Sequence, residues 1–161
     1  MVNRELLQKK AELQRTKNQI STIEGICVLS YEEQSIFDEK YLRGIGFYSS
    51  TKAADAKIPL HSTEAEIVEQ ILSLAELETG QIWYLWVNSF LVKFQITDVK
   101  KAVSNLWNKT NPNSKGFAII TKELNKMHEI SIDSRDEKNI LFDSYNLKNF
   151  VNTNPSTLQK V

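Results

Sequence analysis

The residues with the chemistry for acid/base or metal work gather late in the chain: His128-Glu129, Asp133, Asp136 and Asp143. Carboxylates converging on one spot could hold magnesium or act as an acid/base pair, and a neighbouring histidine could relay a proton. If residues 128 to 134 are extended, however, His128 points to the side of Ile130 and Ile132, whereas Glu129 and Asp133 point the opposite way. His128 then belongs to the core. Glu129 and Asp133 share the other face, which Asp143 on a neighbouring strand could join, and that trio defines the enzymatic alternative: a metal-dependent hydrolase or nuclease. The same alternation of carboxylates with Ile130, Ile132 and Phe142 is the ordinary pattern of a half-exposed hairpin. Lys138 falls in the intervening turn and not beside the carboxylates, so the reading adopted is non-enzymatic, with no catalytic residue, metal ligand or cofactor assigned.

Two other patterns invite chemistry and fail on spacing. Gly44-x-Gly46 followed by Ser49, Ser50, Thr51 and Lys52 matches neither the Walker nor the dinucleotide fingerprint, and no helix is expected to open directly after the glycines. Lys93, Lys100, Lys101, Lys109, Lys115, Lys122 and Lys126 surround Trp107 and Phe117, but the stretch holds no arginine for bidentate recognition, which argues against nucleic acid. His61 reads as a surface residue before a helix.

The features best suited to work are a charged helix face and an aromatic strand face. Thr63-Glu-Ala-Glu66 is a capping box opening a helix to about 78. Ile67, Val68, Ile71, Leu72, Leu74 and Ala75 fall on its inner arc, with Glu66, Glu69 and Glu76 outside. No Lys or Arg lies between Lys57 and Lys93, so these glutamates are expected to lack a local counter-charge. Gln81 to Ile96 is two β-prone runs around Asn88-Ser89, a tight hairpin in which Val87 faces Phe90, Leu85 faces Val92 and Trp83 faces Phe94. That face is wholly apolar. The opposite face sets Ile82, Tyr84 and Trp86 against Gln95, Lys93 and Leu91, and Tyr84, Trp86 and Leu91 are the expected anchors for a protein partner, with Glu66, Glu69 and Glu76 supplying steering charge.

The elements that must position these groups follow from pattern. Residues 3 to 23 read as a helix with a thin stripe of Leu6, Leu13 and Ile20, lying along the rim; its heptad spacing is also compatible with a coiled-coil dimer, and the oligomeric state stays open. Residues 25 to 30 read as a buried strand carrying Cys27, and Ser30 with Glu33 as a capping box for a helix from about 31 to 42, with Phe37 and Tyr41 inward. A glycine-interrupted strand follows at 43 to 50, then a polar loop through Pro59. Thr97-Asp98 caps a helix with Val99, Ala102, Val103 and Leu106 inward and Trp107 at its end. Residues 116 to 121 read as a strand, and 127 to 134 with 139 to 145 as a second hairpin. Helices between short-turn strand pairs give an α+β fold on a mostly antiparallel sheet, one domain over 1–150 with its N-terminal helix at 1–24 and a weakly ordered tail at 151–161.

Composition supports a folded globular chain: 161 residues, 41% hydrophobic and 25% charged, with 5 Gly and 3 Pro. Twenty basic and twenty acidic residues balance, which removes any global electrostatic attraction to nucleic acid or anionic membrane. The single cysteine, the lack of a signal-like apolar segment and the lack of a run near 18 apolar residues lead to the expectation of a cytoplasmic protein.

Taken together, Trp86-Val-Asn-Ser-Phe-Leu-Val-Lys-Phe-Gln-Ile96, the helix ending Asn105-Leu-Trp107, and Gly116-Phe-Ala-Ile-Ile-Thr121 with His128-Glu-Ile-Ser-Ile-Asp133 resemble, over residues 80 to 145, small bacterial immunity proteins of contact-dependent inhibition and other polymorphic toxin systems. The resemblance implies a non-enzymatic inhibitor that binds and neutralises a cognate toxin. An inhibitor of a host defence complex, carried by a phage or mobile element, is the nearest alternative.

Overall fold

The structure, a computed structural model, describes residues 3–33 and 53–147. Its elements are α1 (Arg4–Ile20), β1 (Ile26–Glu33), β2 (Ala56–Pro59), α2 (Glu64–Leu74), β3 (Ile82–Val87), β4 (Phe90–Ile96), α3 (Val99–Lys109), β5 (Gly116–Thr121), β6 (Lys126–Ser131) and β7 (Asn139–Asn146). The strands form one antiparallel sheet in the order β1-β4-β3-β5-β6-β7-β2, so the architecture is α+β.

The hairpin of β3 and β4 lies inside this sheet with the register its sequence implies: Trp83 opposite Phe94, Leu85 opposite Val92, Val87 opposite Phe90. Asn88 takes the left-handed backbone that a two-residue turn needs, at φ 52. Those six apolar side chains join Ile20 of α1, Ile67 and Ile71 of α2, and Val103 and Leu106 of α3 in one core. All three described helices therefore cover the same face. Each fully buried Leu or Ile there contributes about 1.5–3 kcal/mol through area removed from water.

The other face is not open either. Tyr84, Leu91, Ile120, Met127, Tyr145 and Leu147 form a second buried cluster, with Trp86, Ala118 and Leu124 packed at its margin.

Local signals set most of the boundaries. Asn3, Thr63 and Asp98 cap the three helices, their side chains accepting from backbone N–H groups of the first turn. α2 stops at Leu74 and not near 78, because Glu76 adopts a left-handed φ of 51 and Leu77 N–H folds back to the Leu72 carbonyl. The expected helix start at Ser30–Glu33 is instead the end of β1: Tyr31 pairs with Val92 and Glu33 with Phe90, after a bulge near Leu29. Pairing along the whole of β4 outweighs one side-chain cap. β2 was expected as loop; its four residues pair with β7 through Pro59 opposite Asn139. Cys27 is exposed and not buried, since it projects from the face opposite Ile26 and Val28. The coiled-coil seam is partly occupied at home: Ile20 is buried in the core and Leu13 packs on it, leaving Leu6 exposed. The expected glycine-interrupted strand at 43–50, most of the helix expected at 31–42, and the tail at 151–161 lie outside the described residues. Among those described, no helix is long and apolar enough to cross a membrane.

Gly25 joins α1 to the sheet. Its φ is 85, its carbonyl accepts from Thr97 and Asp98 N–H, and an added Cβ would meet the Ala102 backbone nitrogen and sit 2.8 Å from the Asp98 carbonyl oxygen. Gly80 has a similar φ of 98 with open space around it. Gly25→Ala should therefore cost about 3 kcal/mol in urea unfolding and Gly80→Ala about 1 kcal/mol; equal losses would show that the close approach to α3 is unimportant.

Candidate functional site: a cleft where two strands part

β3 and β5 are bridged at Trp83–Thr121, Tyr84–Ile120 and Leu85–Ile119, and there the ladder stops, although β3 continues to Val87 and β5 begins at Gly116. The strands part at the end nearest the β3–β4 turn. A cleft of ≈ 330 Å³ occupies the gap, walled by Trp86, Val87 and Asn88 on one side and Gly116, Phe117 and Ala118 on the other. Glu129 to Ile132 of β6 and its extension lie beyond, and Thr110 to Pro112 contribute to the rim.

Gly116 shows how the gap is kept. At φ 136 it brings the start of β5 so close to β6 that a Cβ would lie 2.7 Å from the Ile130 carbonyl oxygen. β5 stays paired with β6 as far as Gly116 opposite Ser131, beyond the point where its pairing with β3 ends. At the top, one face of α1 spans the opening: Thr16 Oγ1 accepts from Asn88 Nδ2 at 2.8 Å, and Glu12 Oε1 accepts from Ser89 N–H and Oγ at 3.0 and 2.6 Å. On the far wall, Gln19 Nε2 donates to the Thr110 carbonyl. Glu12, Thr16 and Gln19 stand four and three residues apart, so a single helical stripe ties the β3–β4 turn to the rim at Thr110.

Within the sheet, Trp86, Ala118, Glu129 and Asp143 occupy consecutive strands on one face, from the register of Leu85 with Ile119, Ala118 with Glu129, and Glu129 with Asp143. Glu129 and Asp143 thus meet across two strands. Asp133 lies past the end of β6 and is joined to Asp143 by Arg135, whose guanidinium holds Asp133 Oδ2 at 2.8 Å and Asp143 Oδ2 at 2.6 Å. Asp143 is fully buried, Asp133 partly exposed, and Arg135 Nε also donates to Asp133 at 3.1 Å. Hydrogen bonding to Arg135 holds the Asp133 carboxyl below its ordinary value, and the two carboxylates raise the guanidinium's. Two of the three acids of the enzymatic alternative, Asp133 and Asp143, are therefore held by a protein cation, and among the described residues no group of three or more His, Cys, Asp or Glu could share a metal ion.

Glu129 is the odd member. Burial is the largest cause pushing its carboxyl upward, and Asp143 and Asp133 push the same way against Arg135. Among the described residues no hydrogen bond or ion pair reaches it. It lines the cleft with Trp86. Thr110, 5% exposed, is also part of the wall, and its buried hydroxyl finds no partner among the described residues.

The expected partner-binding residues fare unevenly. Trp86 is half-buried at the cleft, but Tyr84 and Leu91 are buried in the second cluster and are not presented as exposed anchors. Lys93 Nζ lies 5.9 Å from the Tyr84 ring centroid. Glu66 and Glu76 are exposed, whereas Glu69 has the counter-charge that its own neighbourhood in sequence lacks: Lys100 of α3, at 2.9 Å. Glu64 is tied to Ser104 and Asn108 by hydrogen bonds that lower its carboxyl, with Lys115 adding to the effect. Of the aromatics among the lysines, Trp107 and Phe117 are both buried, so neither offers a stacking platform. The glycine-serine loop at 44–52 lies outside the described residues.

His128 faces the helix-covered core, as strand alternation requires, with ring centroids 5.7 Å from Trp83 and 5.2 Å from Phe142. Burial, with Lys126 adding to it, depresses the imidazole to about 4. Its Nδ1 has no hydrogen-bond partner among the described residues.

No protein-family model, curated protein or solved structure matches the chain.

Two outcomes follow from the charges. Arg135→Met should lower unfolding free energy by about 3 kcal/mol by removing the guanidinium from the buried Asp143, and adding Asp143→Asn should restore part of that loss; additive losses in urea unfolding would show that the two side chains do not act as a pair. For His128, the unfolded chain takes up a proton near the ordinary value of 6.5 and the folded one only near 4. Stability is thus held above pH 6.5 and lost as pH falls from there towards 4. At pH 5 His128→Leu should retain about 2 kcal/mol more of its pH 7 stability than the wild type; parallel profiles would mean that the imidazole is charged in the fold.

Proposed function

We propose that the protein is a non-enzymatic inhibitor acting in the cytoplasm, an immunity protein that neutralises a cognate toxin by protein–protein contact, with the cleft between β3 and β5 as its anchor site. The observation that carries this reading is the pairing, on one cleft, of a large aromatic wall, Trp86, with a carboxylate, Glu129, that no hydrogen bond or ion pair reaches among the described residues. Interfaces draw most of their affinity from a few such anchors in desolvated pockets. The acid groups that could have served catalysis at Asp133 and Asp143 are spent on Arg135, which suits a structural role for them.

Charge around the cleft supports steered association. Lys115, on the cleft wall, is within electrostatic reach of Glu64 at the start of α2, so the acidic outer side of that helix begins beside the rim. Exposed Glu66 continues it on α2, and exposed Glu76 lies in the turn just past the helix end. Charges at the edge of an interface alter association rate more than final affinity.

Co-expression with each growth-arresting product of the flanking reading frames tests the reading. Wild type should restore growth against one of them, and Trp86→Ala should abolish the rescue while remaining folded by circular dichroism. Failure to neutralise any flanking toxic product overturns the proposal. Against the toxin so identified, Glu66→Lys with Glu76→Lys should slow association roughly fivefold at low salt and leave dissociation unchanged; an unaltered association rate removes α2 from the binding surface.

A further inference from the structure

We infer that the cleft takes an arginine side chain of the partner protein, its guanidinium lodged between the Trp86 indole and the Glu129 carboxylate. The inference rests on the inhibitor reading only for what carries the arginine; the recognition chemistry is argued from the cleft itself.

Trp86, Ala118 and Glu129 stand in one row on three successive strands. The row widens where β3 and β5 part, so the two large residues line the cleft with only the Ala118 methyl on the strand between them. A planar group can enter that space with one face towards an aromatic ring and its edge towards a carboxylate. Guanidinium is the protein group that meets both demands, since it stacks on aromatic faces, is weakly hydrated and pairs with carboxylates through fixed N–H donors.

Charge selects the sign of the guest. Asp143 and Asp133 surround Glu129 with further negative charge, and the nearby Arg135 is already engaged by both. Lys115 also lines the cleft and lies within electrostatic reach of Glu64 at the start of α2. An anion would meet repulsion at the Glu129 end, and a neutral guest would leave the carboxylate uncompensated. The cavity of ≈ 330 Å³ lies at the small end of the range for ligand sites, about 300–1,000 Å³, which suits one long side chain better than a whole cofactor.

The probe is N-acetyl-arginine methylamide, titrated into the full chain and followed by amide and indole NMR shifts, a readout independent of any toxin. Saturable shifts should cluster at residues 86–88, 116–118 and 129–132. N-acetyl-citrulline methylamide, alike in shape but uncharged, should bind at least tenfold more weakly, and Glu129→Gln should weaken the arginine probe by a similar factor, the size of one charge-assisted hydrogen bond. Equal binding of the citrulline compound, an unchanged affinity in Glu129→Gln, or shifts clustered elsewhere would overturn the inference. Tighter binding of spermidine than of the arginine probe would overturn it in favour of a free polyamine. Success here with no growth rescue would leave the cleft chemistry standing and the inhibitor reading fallen; rescue without any shift at these residues would do the reverse.

Discussion

Alternate side chains of β3 and β4 fill two separate interiors, and everything else is arranged to keep both dry. Trp83, Leu85, Val87 and their partners across the hairpin meet the three described helices. Tyr84 and Leu91, one step along each strand, belong to the second cluster with Ile120, Met127 and Tyr145. Because side chains alternate strictly, a one-residue slip would exchange the two sets at once. Asn88 and the α1 contacts on Asn88 and Ser89 hold the turn against such a slip. The cleft follows from the same constraint: β3 is committed to β4 along its whole length but to β5 along only part of it.

Much of this was legible in the chain. The Asn88-Ser89 turn, flanked by aromatic and β-branched residues, fixes the register that the hairpin adopts, and the Thr63 and Asp98 caps mark two helix starts. His128 falls on the core side and Glu129 on the other, as a period of two demands. Local rules fail where long-range pairing competes with them. Ser30 and Glu33 carry a valid helix-start pattern, yet β4 offers those residues a full ladder of partners. Tyr84 and Leu91 look like exposed anchors when only their own hairpin is considered, and become interior once Ile120, Met127 and Tyr145 are brought beside them.

The site was harder to see for a related reason. Arg135 sits in a turn of polar residues, where nothing local says that its guanidinium reaches both Asp133 and Asp143. Glu69 finds Lys100 thirty-one positions away, although no basic residue lies near it in the chain. The cleft is written in no motif, because it arises from where a ladder ends. One signal was available: Ala118 is the small residue in the row between Trp86 and Glu129, and Gly116 opens the strand that carries it.

The crowding of Gly116 against Ile130 has a further consequence. Since main chain and not side chain sets the distance of β5 from β6, and α1 ties the β3–β4 turn to the Thr110 rim, the opening has little freedom to collapse when empty. A guest would meet a preorganised receptacle and lose little free energy to rearranging it, so complex lifetime would be governed by the contacts made inside and not by a slow gate.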